Sequence, residues 1–465
     1  MKRIWFIILE IILGIVTAVK CSGQDYNWLP PISDNAEYYL LTCDPGDEVY
    51  EKFGHSGIRV KDGEWDITFN WGLFSFEEPN FIGKFVLGET DYMMGYCQTE
   101  MFLSEYRERG SAVHQHQLNL SQQQKSNLWK AISENWKVEN RVYRYNFIYD
   151  NCATRIYEII LNAIDKDEIE NFYADAPYGT YRNIVNGYTG TDSWISLGIN
   201  LVFGSEADKR ISYKEATTFP LEMMMLMEGV EKKEYIDGYD VKEPLLGKEV
   251  ILFNGDKLFK KNVIGTTGKE FLLFMIPMLI SLALLVYFIR VHGHYYKIPT
   301  LVLLWLSVAF SILIVFLSVF SSHPLVHDNY NLLWCNPLNA LLAIVLVLRH
   351  RHTLKGCVAF VTTVCTLLCG IAYLTGEQEY TMVLLGWWIL FAVLQLLVLL
   401  SYLQKTFCDI KAWANKNLGK QSGRRHHSHH RHHVHGENDR GGVQKASEYH
   451  NNRHHHHHHH HVHEY

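Results

Sequence analysis

Two short segments carry the residue types that thiol chemistry needs. Tyr149-Asp150-Asn151-Cys152-Ala153-Thr154-Arg155 places a cysteine where a helix begins, and Phe53-Gly54-His55-Ser56-Gly57-Ile58-Arg59-Val60 places a histidine at the head of a strand far upstream. An imidazole that takes the proton of a thiol makes a nucleophile for acyl carbons. Asp150 or Asn151 caps the helix, leaving Cys152 in the first turn, where free N–H groups and the helix dipole favour a thiolate. The polar flanks Asn151, Thr154 and Arg155 set this cysteine apart from a thiol packed in an apolar core. The competing reading is a core cysteine and a hydrogen-bonded strand histidine. Ser56 is no nucleophile elbow, because Gly-His-Ser-Gly lacks the Gly-x-Ser-x-Gly spacing.

Local patterns predict the elements that must hold this pair. Glu37–Thr42 reads as a strand, Asp44-Pro45-Gly46-Asp47 as a turn, and Val49–Phe53 as a short helix. His55–Val60 and Trp65–Trp71 read as a hairpin about Lys61-Asp62-Gly63-Glu64. Asp66, Thr68 and Asn70 then share one strand face, and any of the three could meet His55. Leu73–Leu87, with Phe74, Phe76, Phe81 and Phe85, reads as an irregular covering loop that is core or, beside a site, shelter for an acyl chain. Val113–Leu120 alternates as a strand with His114 and His116 on one face, which is read as solvated because no further metal ligands cluster nearby. Ser121 caps a helix through Trp136. Tyr143, Tyr145 and Phe147 alternate before the Cys152 helix, whose Ile156, Ile159, Ile160 and Ile164 recur at helical spacing.

The 48% hydrophobic content of the 465 residues conceals a division. Met1-Lys2-Arg3 and the apolar run after it suit a signal peptide or retained anchor over 1–23. Residues 24–268 read as an exported globular domain, 269–404 as a membrane domain, and 405–465 as a basic, histidine-rich disordered tail. Candidate spans are Phe271–Arg290, Ile298–Phe320, Leu332–Leu348, Cys357–Leu374 and Met382–Leu403, most near the roughly 20 residues a bilayer core requires. Arg290, Lys297, Arg349, Arg351 and Lys355 fall in alternate loops, and lysines follow the last span, whereas Ser321–Asn331 and Gly376–Tyr380 contain neither Lys nor Arg. The positive-inside rule therefore puts the tail in the cytoplasm and the globular domain outside.

Of nine cysteines, only Cys43, Cys97 and Cys152 fall in the exported domain proper. A Cys43–Cys97 bridge is open, and at least one thiol stays unpaired. No Gly-rich phosphate loop, nucleic-acid-binding pattern or cofactor motif is present. His323, His327 and Asp328 read as a wetted loop.

Taken together, Phe53–Val60, Phe69-Asn70-Trp71-Gly72, Tyr145–Arg155, Trp194–Asp208 and Asn331-Leu332-Leu333-Trp334-Cys335-Asn336-Pro337-Leu338-Asn339 resemble the Lnb-type lipoprotein N-acyltransferases of Bacteroidetes. The resemblance implies an α+β exported domain of permuted papain-like (NlpC/P60-like) fold followed by an α-helical transmembrane bundle in the bacterial inner membrane. It implies Cys152 as nucleophile and His55 as general base and acid, with no cofactor and no metal. Asp66 is the expected orienting residue, and Arg155 and Asn336 are the expected substrate contacts. The implied reaction moves a fatty acyl chain from a phospholipid, through a thioester, to the α-amine of a diacylated lipoprotein. The alternatives are a periplasmic thiol amidase or peptidase acting on peptidoglycan peptides, and a non-enzymatic membrane sensor or assembly factor.

Overall fold

In the computed structural model, which describes residues 29–429 apart from 76–78, 172–173, 192, 237–238, 256–267 and 350, apolar alternation sorts the strands into two faces. The expected leader over 1–23 and the tail beyond 429 lie outside the described residues. The first half of the chain runs β1 (Glu37–Cys43), β2 (His55–Asp62), β3 (Trp65–Leu73), α1 (Phe81–Leu87), β4 (Asp91–Gln98), α2 (Thr99–Arg109), β5 (Val113–Gln117), α3 (Gln122–Trp136), β6 (Val142–Arg144) and α4 (Cys152–Asn162). There follow β7 (Ile169–Asn171), β8 (Pro177–Thr180), α5 (Tyr181–Thr189), α6 (Trp194–Val202), β9 (Arg210–Ser212), α7 (Tyr213–Ala216), α8 (Pro220–Glu228), β10 (Val230–Ile236), β11 (Tyr239–Pro244) and β12 (Val250–Phe253).

The main sheet is antiparallel, in the order β12-β5-β1-β2-β3-β4-β6. Its β2–β3 hairpin pairs Asp62 with Trp65 around a two-residue turn, where Gly63 takes the left-handed backbone (φ 57°) such turns require. Ile58 and Val60 of β2 and Ile67, Phe69 and Trp71 of β3 point to one face and pack with α3, α4 and α8. Ile156, Ile159, Ile160 and Ile164 join that core as their spacing predicts. Full burial of each such side chain contributes roughly 1.5–3 kcal/mol. The opposite face is covered by α2, whose Phe102, Leu103 and Tyr106 meet Leu41, Cys43 and Val113.

Three local expectations change. The covering segment after β3 ends in a helix, α1, and the unassigned stretch behind it supplies β4 and α2. The His114 and His116 face is not solvated: His114 pairs with Asp44 (3.2 Å) and Glu249 (2.7 Å), and buried His116 meets Glu228 (3.2 Å). Cys43 and Cys97 are not bridged, and β2 and β3 lie between their strands. At about 4.8 Å per strand, the separation far exceeds the reach of a disulfide.

Five segments, Phe271–Arg290, Lys297–Phe320, Pro324–Val347, His352–Leu374 and Met382–Asn415, are long and apolar enough to cross a membrane. They correspond to α9 (Gly268–Arg290), α10 (Lys297–Phe320), the pieces around α11 (Leu338–Val347), α12 (His352–Leu374) and α13 (Met382–His429). The last helix continues to His429, so 405–429 is helical rather than part of a disordered tail. The third segment is broken: 3-10 turns at Pro324–Val326 and Tyr330–Leu333 precede α11. Side chains satisfy the polar groups this exposes, as a low-dielectric surrounding demands. Asn331 accepts from Trp334 Nε1 (2.9 Å) and donates to Leu201 O (3.0 Å). Asn339 donates to Ser307 Oγ (3.0 Å) and accepts from Gln395 (3.0 Å).

The loop after α10 is docked rather than wetted. Gly204 N donates to Leu325 O (2.8 Å) and Ser205 N to Asp328 O (3.1 Å). His327 lies so close that a Cβ on Gly204 would collide with its carbonyl oxygen. Buried Arg182 secures this joint, donating to Asp208 (2.6 Å), Asn200 Oδ1 (3.0 Å) and Gly204 O (3.0 Å). On the other side, Ser322 N donates to Leu87 O (2.9 Å), and His323 Nε2 is 2.8 Å from Phe85 O.

Candidate active site

Cys152 is the first residue of α4, and Asn151 is its cap. Asn151 Oδ1 accepts from the amides of Ala153 (2.9 Å) and Thr154 (3.1 Å), while Thr154 Oγ1 accepts from Asn151 N (2.8 Å). The cap is itself held, because Asn151 Nδ2 donates to Phe147 O (2.9 Å) and Thr218 Oγ1 (2.8 Å). The helix start therefore cannot drift, and Cys152 is presented at a fixed point beside β2.

A cavity of about 640 Å³ is lined by both Cys152 and His55. Phe74, Tyr92, Tyr145, Phe147 and Phe219 form its aromatic lining, and Asp44, Asp47, Glu48, Glu51, Glu105 and Glu108 make the rest strongly acidic, with Arg109 among them. The Ser56 hydroxyl and amide face the Cys152 thiol, as do the amides of Ala153 and Cys152 itself. All of these favour the thiolate, yet burial outweighs them and pushes the thiol pKa up. The expectation of a helix-stabilised thiolate is thus reversed. The cap explains part of this, since Asn151 already occupies the Ala153 and Thr154 amides. Ser56 Oγ, fully buried, has no nitrogen or oxygen partner and is left to the sulfur.

His55 begins β2, with one edge open to the cavity and the Phe102 ring 6.4 Å away. Burial, reinforced by the nearby Arg109 guanidinium, lowers its pKa to about 4, while hydrogen bonding to Asn70 acts weakly the other way. The resting pair is a neutral imidazole and a neutral thiol. Neither group is therefore held in its charged form.

The hairpin register decides which β3 residue meets His55. Continuing the pairing Ile58↔Phe69 places His55 opposite Gly72, and a Cβ on Gly72 would collide with His55 Cε1. Asn70 lies one pleat away on the same face and also accepts from Gly72 N (3.1 Å). Asp66 shares the face but pairs with Lys61 near the opposite end of the hairpin, roughly 20 Å along the strand at 3.3 Å per residue. Both its oxygens bind Arg59 (2.7 and 2.6 Å), which lowers its pKa despite partial burial. Asn70, rather than Asp66, is the residue that hydrogen-bonds the His55 ring.

The other expected contacts also lie elsewhere. Arg155 forks onto Asp150 (2.5 and 2.8 Å) and stacks on Tyr143 at 3.7 Å, bracing the α4 start outside the cavity lining. Asn336 is buried beside α11, donating to Leu333 O (2.9 Å) with Oδ1 unpartnered, and does not line the cavity. Sequence reasoning missed Gly72, Arg109 and Thr218. For Gly72 the signal was present in the two-residue turn; for the others no local pattern points to the cavity. Among the described residues, no group of three or more His, Cys, Asp or Glu side chains could hold a metal ion.

No curated protein and no solved structure matches the chain. Residues 31–187 match the Lnb N-terminal periplasmic domain, which contains His55 and Cys152, and residues 269–406 match the Lnb transmembrane domain. With a periplasmic sheet domain carrying a thiol and an imidazole in one cavity, followed by five apolar segments in the inner membrane, the chain belongs to the Lnb family.

Proposed function

We propose that the protein is a lipoprotein N-acyltransferase that uses Cys152 and His55. The observation that carries this reading is the shared cavity, in which a cysteine and a histidine stand beside an aromatic lining in a domain joined to membrane helices. His55 takes the Cys152 proton as sulfur attacks the ester carbonyl of a phospholipid. The C–O bond then breaks, and imidazolium returns the proton to the lysophospholipid oxygen. The lipoprotein α-amine attacks the resulting thioester, losing a proton to His55 as the C–S bond breaks and the amide forms. The thiolate recovers that proton. An α-amine with a pKa near 8 is partly neutral at pH 7, so the second step needs only modest base assistance. The Cys152 N–H, which the Asn151 cap leaves free, and the Ser56 hydroxyl are the oxyanion donors favoured by position.

In this reading the periplasmic domain has a permuted papain-like arrangement, with histidine ahead of cysteine, and spans about 24–268. The bundle spans about 269–404, and the C-terminus is cytoplasmic, in keeping with the positive loops. Both substrates are lipids, so the membrane domain positions them as well as anchoring the enzyme.

The test is the mass of a reporter lipoprotein's N-terminal peptide in cells lacking their own N-acyltransferase. The wild-type chain is expected to add one acyl group, and Cys152→Ala or His55→Ala none. N-acylation by Cys152→Ala overturns the proposal, and release of peptidoglycan peptides without N-acylation favours an amidase.

A further inference from the structure

Four rings join the cavity to the part of the domain bound to the membrane helices. Phe74 stacks on Tyr92 (centroids 4.9 Å apart), Tyr92 on Tyr145 (4.1 Å), and Tyr145 on Phe85 (6.1 Å). Phe74, Tyr92 and Tyr145 line the Cys152 cavity, whereas Phe85 belongs to α1. The carbonyl end of α1 is bonded to the outer end of the second span: Ser321 Oγ donates to Val86 O (2.8 Å), Ser322 N to Leu87 O (2.9 Å), and His323 meets Phe85 O. A Cβ on Gly88 would collide with Ser322, so this contact is close.

Core packing alone accounts for the inner rings but not the outer end. Ile82 of α1 is 69% exposed and Phe85 38%, although both are apolar and adjoin the end of a membrane helix. Apolar side chains left open beside a bilayer are matched by lipid. With Phe81 stacked on both Phe85 (6.2 Å) and Phe74 (5.3 Å), the rings form one cluster that reaches from that point to the cavity Cys152 lines.

We propose that these rings are an acyl-chain track: one fatty chain of the membrane donor lipid enters over Ile82 and Phe85 and lies along Tyr145, Tyr92 and Phe74, which brings its ester carbonyl to Cys152. This rests on the acyl-transfer reading and adds the residues that select for a long chain. Where these rings line the cavity they offer rigid apolar edges with few rotamers to freeze, which suits a flexible methylene chain. Short acyl groups reach the thiol without touching Phe85.

The experiment uses the full chain in lipid nanodiscs and reads the Cys152 thioester by intact mass. Two phospholipid donors share a headgroup, one carrying butanoyl and the other hexadecanoyl chains. Phe85→Ala is expected to lower the ratio of long-chain to short-chain thioester by about tenfold or more, since each lost apolar contact discriminates on that scale. Ile82→Gln, at an exposed position that leaves the core intact, is expected to lower it in the same direction. Partial unfolding would reduce both donors equally and leave the ratio unchanged. An unchanged ratio in both variants, with the wild type active, overturns the track alone. A wild type that forms no thioester with either donor overturns the acyl-transfer reading and the track with it.

Discussion

The His55 ring lies over Gly72, so closely that any side chain at residue 72 would occupy the space of the imidazole. The contact follows from hairpin register, and it fixes where the imidazole can stand relative to the cavity that Cys152 also lines.

Gly72→Ala is therefore expected to dislodge His55 and reduce thioester formation by on the order of a hundredfold, as displacing a catalytic group by an ångström does. Asn70→Ala, which removes a partner but leaves the space, is expected to cost about tenfold. Single-turnover acylation of Cys152 measures both. Equal activity of Gly72→Ala and wild type refutes the positional role.

Acylation should persist well below the usual histidine range. His55 must be neutral to act as base, and its pKa is lowered to about 4, so activity declines only as pH falls toward that value. Replacing Arg109 by Gln removes a cation that disfavours the imidazolium, so the acid limb should move to higher pH. A pH–rate profile of wild type and Arg109→Gln checks the sign.

The raised thiol pKa of Cys152 implies slow alkylation at neutral pH and faster reaction in alkali. Ser56→Ala removes a group that favours the thiolate, so its alkylation should be slower still at any given pH. Iodoacetamide kinetics followed by mass would show equal rates for wild type and Ser56→Ala if Ser56 does not face the sulfur.

Asp66→Asn is expected to leave acylation within about twofold of wild type, because its partner is Arg59. The partly exposed pair contributes about 1 kcal/mol to stability, so a small loss in unfolding free energy should be the main effect. A large loss of activity in a normally stable Asp66→Asn would return Asp66 to the site.

Gly204→Ala tests the joint to the membrane helices. The added methyl meets the carbonyl of His327, so the periplasmic domain should seat poorly on the loop after α10. Transfer from bilayer phospholipid should fall by tenfold or more, while acylation by a soluble short-chain ester changes little. Equal losses on both donors would mean that the substitution harms the fold instead.

Much was legible in local sequence because the forces concerned are local. The cap at Asn151, the helix whose isoleucines face the core, the hairpin and the apolar lengths of the spans each follow from spacing within a dozen or so residues. The His-then-Cys order and the periplasmic side needed no tertiary information. Even the placement of Asn70 rather than Asp66 beside His55 was within reach, since a two-residue turn at Gly63-Glu64 sets the register and places Gly72 opposite His55.

What only the tertiary structure decided depends on who surrounds whom. The helix start alone argues for a thiolate, but burial beside the sheet raises the Cys152 pKa, and no sequence pattern reports that burial. Arg155 reads as a possible substrate contact until Asp150 and Tyr143 are seen to hold it. The Asn331–Asn339 segment reads as a motif, yet its asparagines brace a broken span against α6, α10 and α13. Charge partners, desolvation and the docking of α1 onto a span arise between segments distant in sequence. Their energies depend on separations that only the folded chain sets.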